Sequence, residues 1–226
     1  MTTNSLPPGQ RVLPFFPRFG LPWYAHKTPG SVPEARIELV GPDGQRAVVD
    51  RTDLDGLPDR EQRSDFHCVT TWSRRDVRWS GVPFRDLHEQ LLRPRVDPSG
   101  AARFIRFRGV DGYADTLPLD DLLADNVLLA LGLDGAPLPL EHGAPVRLVT
   151  PDHYGYKNVK HLARIELRRR PGFPWPLSLH HPRARVAHQE RFRGLPGTFI
   201  ARIYRAMIKP NLWWFGRYEN RADEPG

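Results

Sequence analysis

Only one thiol occurs among the 226 residues: Cys68, in the run Asp65-Phe66-His67-Cys68-Val69-Thr70-Thr71-Trp72. A lone cysteine cannot close an internal disulfide. It is therefore either a small core residue or a ligand or nucleophile used as its thiolate. Its position favours chemistry. Ser64 and Asp65 read as a turn, Phe66 to Val69 as a short strand and Thr70 to Arg75 as polar loop, so Cys68 stands where rigid scaffold runs into loop. As a nucleophile it needs a histidine base, and His67, His142 and His153 are the candidates to approach it. His67 alternates with Cys68 along the strand and should point to the other face, which makes it a structural histidine.

A second group of reactive side chains lies further on: His142, Arg147, Lys157, Asn158 and Lys160, on two loops flanking one strand. Each alone reads as a solvated polar residue. As a group they can converge on a phosphate and its attached polar ring, since guanidinium and ammonium groups bind such oxygens strongly. Neither GxGxxG nor a Walker-type loop is present, so the usual nucleotide cradles are absent. Zinc is disfavoured too: the nine histidines accompany one cysteine and include no His-Glu-x-x-His. His180, His181 and His188 read as exposed residues of a basic loop.

The elements that must position these groups are short, because 24 prolines and 19 glycines punctuate the chain. Arg36 to Val40 and Arg46 to Val49, around Gly41-Pro42-Asp43-Gly44, predict a β-hairpin. Phe84, Leu87, Leu91 and Leu92 predict a helix that stops near Pro94. Strands are expected at Arg103 to Arg108, Val127 to Leu131, Pro145 to Thr150 and Val159 to Leu167. Pro118 to Asp125 reads as a short helix, and Gly109 to Tyr113 and Gly132 to Gly143 as loops. The fold class is α+β, mixed and β-rich. Residues 1–14 read as an N-terminal arm, weakly ordered unless it docks, 15–170 as the main domain and 171–226 as a C-terminal extension. In the extension Phe199, Ile200, Ile203, Tyr204, Met207 and Ile208 share one helical face. That face packs on the body as core, or docks a redox partner or a membrane surface.

The net charge of +7 raises nucleic acid as a partner, but the basic residues are nearly all arginines spread along the chain rather than gathered in a block. No nucleic-acid partner is expected. No apolar run reaches the roughly 18 residues of a membrane span, and no leader pattern stands at the start. A cytoplasmic location is expected, with peripheral attachment at the membrane as the variant reading.

The two clusters together carry a resemblance. His142-Gly143-Ala144-Pro145-Val146-Arg147 followed by Tyr154-Gly155-Tyr156-Lys157-Asn158-Val159-Lys160-His161 resembles the molybdopterin-binding domain of the sulfite oxidase family. Phe66-His67-Cys68-Val69, with Trp72 and Val77 to Pro83, resembles that family's molybdenum-ligand segment. The similarity spans roughly Phe15 to Leu167, in the pattern of small bacterial members that include the catalytic subunit of protein-methionine-sulfoxide reductase.

The resemblance implies a molybdenum-molybdopterin cofactor with Cys68 as both the catalytic thiolate and the metal ligand. It implies that His142, Arg147, Asn158, Val159 and Lys160 hold the pterin and its phosphate, with Asp111 as a further contact. Arg18, Phe19 and Gly20 match an N-terminal cofactor-contacting segment, although Phe19 and Gly20 stand where polar side chains are usual. The implied activity is oxygen-atom transfer on a small-molecule substrate, with electrons exchanged with a separate partner, in the membrane or in solution. Ser73 occupies the position of an arginine that helps true sulfite oxidases bind sulfite, which counts against that substrate. A non-catalytic molybdopterin-binding protein of the same fold is the alternative.

Overall fold

The computed structural model describes residues 6–17, 27, 29–172, 181–210 and 212–213. Its strands form two sheets. The hairpin expected around Gly41 to Gly44 is present as β2 (Ile37–Val40) and β3 (Arg46–Val49), antiparallel with Ile37 opposite Val49. Alternation along β2 puts Ile37 and Leu39 in the core, as a half-buried strand requires. β2 also lies parallel to β11 (Leu162–Arg168), which pairs antiparallel with β6 (Phe104–Gly109), and β6 with β7 (Ala114–Pro118). The second sheet thus runs β3-β2-β11-β6-β7.

The first sheet is built around β5 (Trp72–Pro83). Its N-terminal end pairs parallel with β1 (Arg11–Val12), and its length pairs antiparallel with β4 (Arg60–His67) and β8 (Leu128–Leu133). β10 (Arg147–Val149) and the short β9 (Ala136–Pro137) flank β8. The polar run Thr70 to Arg75 is therefore mostly strand, not loop, and the cysteine strand ends at His67. The reason lies in its side-chain partners. Ser73 is fully buried, donating to Gln10 Oε1 at 3.2 Å and lying 2.8 Å from His67 Nδ1, so its polarity is met inside the protein.

α1 (Arg51–Asp55) opens on a reciprocal capping box between Asp50 and Asp53. The helix expected to stop near Pro94 continues past it, as α2 (Phe84–Leu87), a π-helical turn (His88–Leu92) and α3 (Arg93–Val96). A wide π turn immediately before a proline relieves the clash between its ring and the preceding turn's carbonyl, which lets the chain stay helical. α4 (Leu119–Leu122) is shorter than expected, and β11 starts at Leu162 rather than Val159. The main core gathers Leu39, Phe84, Leu92, Phe107, Leu148 and Ile165 between the second sheet, α2 and the edge of the first. Burying a side chain of this size contributes roughly 1.5–3 kcal/mol.

After β11 the chain returns to the first sheet. Tyr154 N–H donates to the Ala184 carbonyl at 2.9 Å, Val186 N–H to Asp152, and His153 bridges Arg185. α5 (Gly197–Ala206) follows, burying Ile200 and Ala201. Its apolar face is divided: Phe199, Ile203 and Met207 are 59%, 52% and 46% exposed, so only part of the expected face is core. Among the described residues no helix is long and apolar enough to cross a membrane.

Candidate active site

Cys68 opens the four-residue turn from β4 to β5. Its N–H donates to the Trp72 carbonyl at 2.8 Å, and the Thr71 N–H returns to the Cys68 carbonyl at 3.1 Å. Thr71 sits at φ +79°, a conformation that a β-branched residue rarely adopts. From the N-terminal arm, buried Gln10 donates through Nε2 to the Cys68 carbonyl at 3.0 Å. The sulfur lies 3.1 Å from Thr70 Oγ1 and is nearly enclosed, the residue being 8% exposed.

Burial pushes the Cys68 thiol up, outweighing the Thr70 hydrogen bonds and the Arg191 charge that act the other way. Unaided, this is a protonated, unreactive thiol. No histidine partners it among the described residues. His67 is bonded to Ser73, His153 Nε2 lies 3.3 Å from Asp121 Oδ2, and His142 stacks on Phe16 at 4.6 Å between ring centroids. A cysteine–histidine nucleophile pair is absent among the described residues, and a buried thiol of this kind becomes an anion when it binds a metal.

Arg147, on β10, is the second unusual group. It is fully buried, and no carboxylate pairs with it among the described residues. It donates to three carbonyls, those of His142 at 2.8 Å and of Leu148 and Asn158 at 3.4 Å. Its guanidinium carbon lies 5.6 Å from the centre of the Phe66 ring and 5.1 Å from that of Trp79. Burial alone lowers its pKa from 12.5 to about 9. Around it stand buried polar atoms with no hydrogen-bond partner among the described residues: His142 Nδ1, Asn158 Nδ2 and Thr150 Oγ1. Asn158 Oδ1 is fixed by the Thr150 N–H at 2.7 Å, so its amide nitrogen is left to donate elsewhere.

Aromatic side chains join the two groups. Phe66, two residues before the cysteine, stacks on Trp72 at 5.8 Å, and Phe16 contacts Phe66, Trp72, Trp79 and His142. Gly155 lets this cluster close up, because a Cβ there would stand 2.4 Å from Phe66 Cζ. Lys160 extends the set outward: it reaches the Glu141 carbonyl at 2.8 Å, and its charge acts on both His142 and Asp111. Asp111 lies in the loop after β6, capping the Tyr113 N–H, and burial raises its pKa. Val159 is buried in the main core, and its carbonyl accepts from Leu148 N–H.

His142, Arg147, Asn158, Val159 and Lys160 lie together, with Asp111 beside Lys160, and Cys68 connects to them at one remove, through Trp72 and the aromatic cluster. Lys157 departs from this group. Its ammonium is buried in an ion pair with Asp115 at 2.7 Å and a bond to the Thr116 carbonyl, which makes it structural. Arg18, Phe19 and Gly20 lie outside the described residues. Sequence reasoning missed Gln10, Tyr154 and Arg191, which surround the cysteine turn from three distant parts of the chain. Nothing in the sequence separates Arg191 from the other arginines of the extension.

A buried thiol, a buried cation with no counter-charge among the described residues and several unpartnered polar atoms suit an anionic ligand with a polar ring and a metal. The chain matches the oxidoreductase molybdopterin binding domain over residues 27–174. It belongs to that family. An uncharacterized oxidoreductase of Bacillus subtilis, YuiH, is 32% identical over 195 residues, 84% of this chain and 93% of its own length. The protein-methionine-sulfoxide reductase catalytic subunit MsrP of Ralstonia nicotianae is 32% identical over 181 residues. That match covers 65% of this chain and 53% of the relative, so the chain spans about half of MsrP. The sulfane dehydrogenase SoxCD of Paracoccus pantotrophus shares the fold at a TM-score of 0.52 and 22% identity, over 61% of this chain and 39% of that one. The protein is a molybdopterin-dependent oxidoreductase of the sulfite oxidase family, with the β-rich mixed fold expected from its sequence.

Proposed function

We propose that the protein transfers an oxygen atom to or from a small substrate and exchanges the electrons with a separate partner. The observation that carries the reading is Arg147: a fully buried guanidinium facing carbonyls, with an unpartnered His142 ring nitrogen and Asn158 amide nitrogen beside it. Burying such a charge unpaired is unfavourable, so the site is built for an anion that the protein binds. In this reading Cys68 ligates molybdenum. His142, Arg147, Asn158, Lys160 and the Val159 backbone hold the pterin and its phosphate, with Asp111 at the outer side and Arg18, Phe19 and Gly20 completing the cradle. The bound cofactor supplies two-electron oxygen-atom chemistry at its metal. The chain's own residues fix its orientation and exclude water, with Phe16, Phe66, Trp72 and Trp79 forming the apolar wall.

A sulfoxide fits better than sulfite. Ser73 is buried against Gln10 and His67 and carries no charge for an anionic substrate, and the neighbouring Arg74 is turned to the Pro14 carbonyl, to which it donates at 3.2 Å. Methionine sulfoxide, the substrate in the name of two relatives, is accordingly the first to assay. The electron partner is met at an anionic membrane surface. Phe199, Ile203 and Met207 form an exposed row on α5, flanked by exposed Arg202 and Lys209, and the sequence from Arg191 to Tyr218 holds no acidic residue.

Metal and pterin analysis of protein made in a cofactor-producing host tests the reading. About one molybdenum per chain, lost in Cys68→Ser, together with dye-linked reduction of a sulfoxide, is the expected result. Molybdenum without turnover on any oxide or sulfite would favour the non-catalytic binding protein, and a folded metal-free protein would sink both. Sedimentation with phosphatidylglycerol vesicles but not phosphatidylcholine vesicles, abolished in Phe199→Ser/Ile203→Ser, checks the surface.

A further inference from the structure

The C-terminal extension reaches back to the cysteine turn through two arginines. Arg191 is 0% exposed. Its Nη1 donates to the Val69 carbonyl at 2.8 Å and its Nη2 to the Pro8 carbonyl at 3.2 Å, and its guanidinium carbon lies 4.8 Å from the centre of the Tyr154 ring. Nε–H is buried with no acceptor. Arg205, half-buried on α5, donates to the Gly9 carbonyl at 3.0 Å and lies 3.5 Å from Thr71 Oγ1. The two side chains therefore hold both the turn, at Val69 and Thr71, and the N-terminal arm, at Pro8 and Gly9. From that arm Gln10 in turn holds the Cys68 carbonyl.

For hydrogen bonding alone the charge is a poor choice. Carbonyl oxygens and a phenol ring satisfy donors, but they do not neutralise a buried cation, and no carboxylate pairs with Arg191 among the described residues. The electrostatic neighbours of Arg191 include Cys68, Tyr154 and Tyr204, and of these the cysteine becomes an anion when it binds a metal. A fixed cation bonded to the residue after Cys68 favours whichever state of the site carries more negative charge.

We propose that the extension is a working part of the redox site, in which Arg191 is a positioning residue that clamps the cysteine turn and raises the reduction potential of the metal bound to Cys68. The inference rests on Cys68 being that ligand. Arg205 reinforces it from a more exposed position, so the extension tunes the site as well as covering it.

The full-length protein from a cofactor-producing host is compared with Arg191→Lys, Arg191→Gln and Arg205→Gln. Molybdenum and pterin per chain are measured first. The midpoint is then read from the paramagnetic signal of the half-reduced metal, with dithionite as the electron donor and the metal as the acceptor. Arg191→Gln should bind the cofactor and show a lowered midpoint, Arg191→Lys should stay near the parent, and Arg205→Gln should fall in the same direction by less. A parent-like midpoint in Arg191→Gln overturns the proposal, as do equal shifts in the lysine and glutamine variants, which would mark an effect of shape rather than charge. If Arg191→Gln does not fold, Arg205→Gln decides, and an unchanged midpoint there overturns it. A parent protein without molybdenum refutes the cofactor role of Cys68 instead.

Discussion

Replacing Arg147 should have opposite effects on the empty and the loaded protein. In the cofactor-free chain burial lowers its pKa from 12.5 to about 9. A base whose folded pKa lies below its unfolded value destabilises the fold. The penalty is absent above pH 12.5, grows as pH falls towards 9 and is complete at pH 7. Its size is ~5 kcal/mol, at about 1.4 kcal/mol per pH unit. Against this, Arg147→Met loses one short bond, at 2.8 Å, and two long ones, at 3.4 Å. These amount to about 2 kcal/mol. The thioether takes over the contacts with the Phe66 and Trp79 rings. Cofactor-free Arg147→Met should therefore gain on the order of 3 kcal/mol, or roughly 6–12 °C in Tm for a chain of this size. In a cofactor-producing host the same variant should retain the cofactor about thirty-fold less well, since a charged hydrogen bond to an anion is worth about 2 kcal/mol. Thermal melts of protein from a cofactor-deficient strain, paired with molybdenum assays from a competent one, read both effects. A cofactor-free variant that melts below the parent would refute the argument from charge.

Three further outcomes are expected. Lys157→Met should destabilise by ~3 kcal/mol in urea, because it strands Asp115, and adding Asp115→Asn should recover part of the loss. If the double variant is as unstable as the sum of the singles, the pair is not coupled. His142 is buried neutral, with its pKa lowered to about 3 by burial and by the Lys160 and Arg147 charges. The unfolded chain takes up that proton first, so stability should fall as pH drops from 6.5 towards 3. Nuclear magnetic resonance of the imidazole should show no titration between pH 5 and 8, and a midpoint near 6.5 contradicts the burial. Gly155→Ala should cost about 1–3 kcal/mol by forcing a methyl against the Phe66 ring, and Phe66→Leu should suppress that cost.

Local chemistry decided what could be anticipated without coordinates. Gly41 to Gly44 between alternating segments marked a hairpin, because turn chemistry lies in adjacent residues, and His142, Arg147, Lys157, Asn158 and Lys160 read as a candidate group, from which the fold takes Lys157 into an ion pair with Asp115. Three features depended on distant partners. Thr70 to Arg75 resembles loop, yet Ser73 is strand because Gln10, 63 positions away, satisfies it. Pro94 resembles a stop, yet a π turn carries the helix past it. Arg191 resembles its neighbours in a basic tail, and only the tertiary fold distinguishes it by placing it against Val69, 122 positions earlier. The phase of α5 was also hidden: Ile200 and Ala201 face inward, while Phe199 and Ile203 do not.

Synthesis runs from the N-terminus, and the cysteine turn draws its supports from both directions. Gln10 and β1 are made before Cys68, β11 completes the second sheet at Arg168, and the two arginines that grip Val69 and Thr71 emerge last. A ribosome-bound chain that has released β11 can have both sheets assembled while the cysteine turn still lacks its clamp.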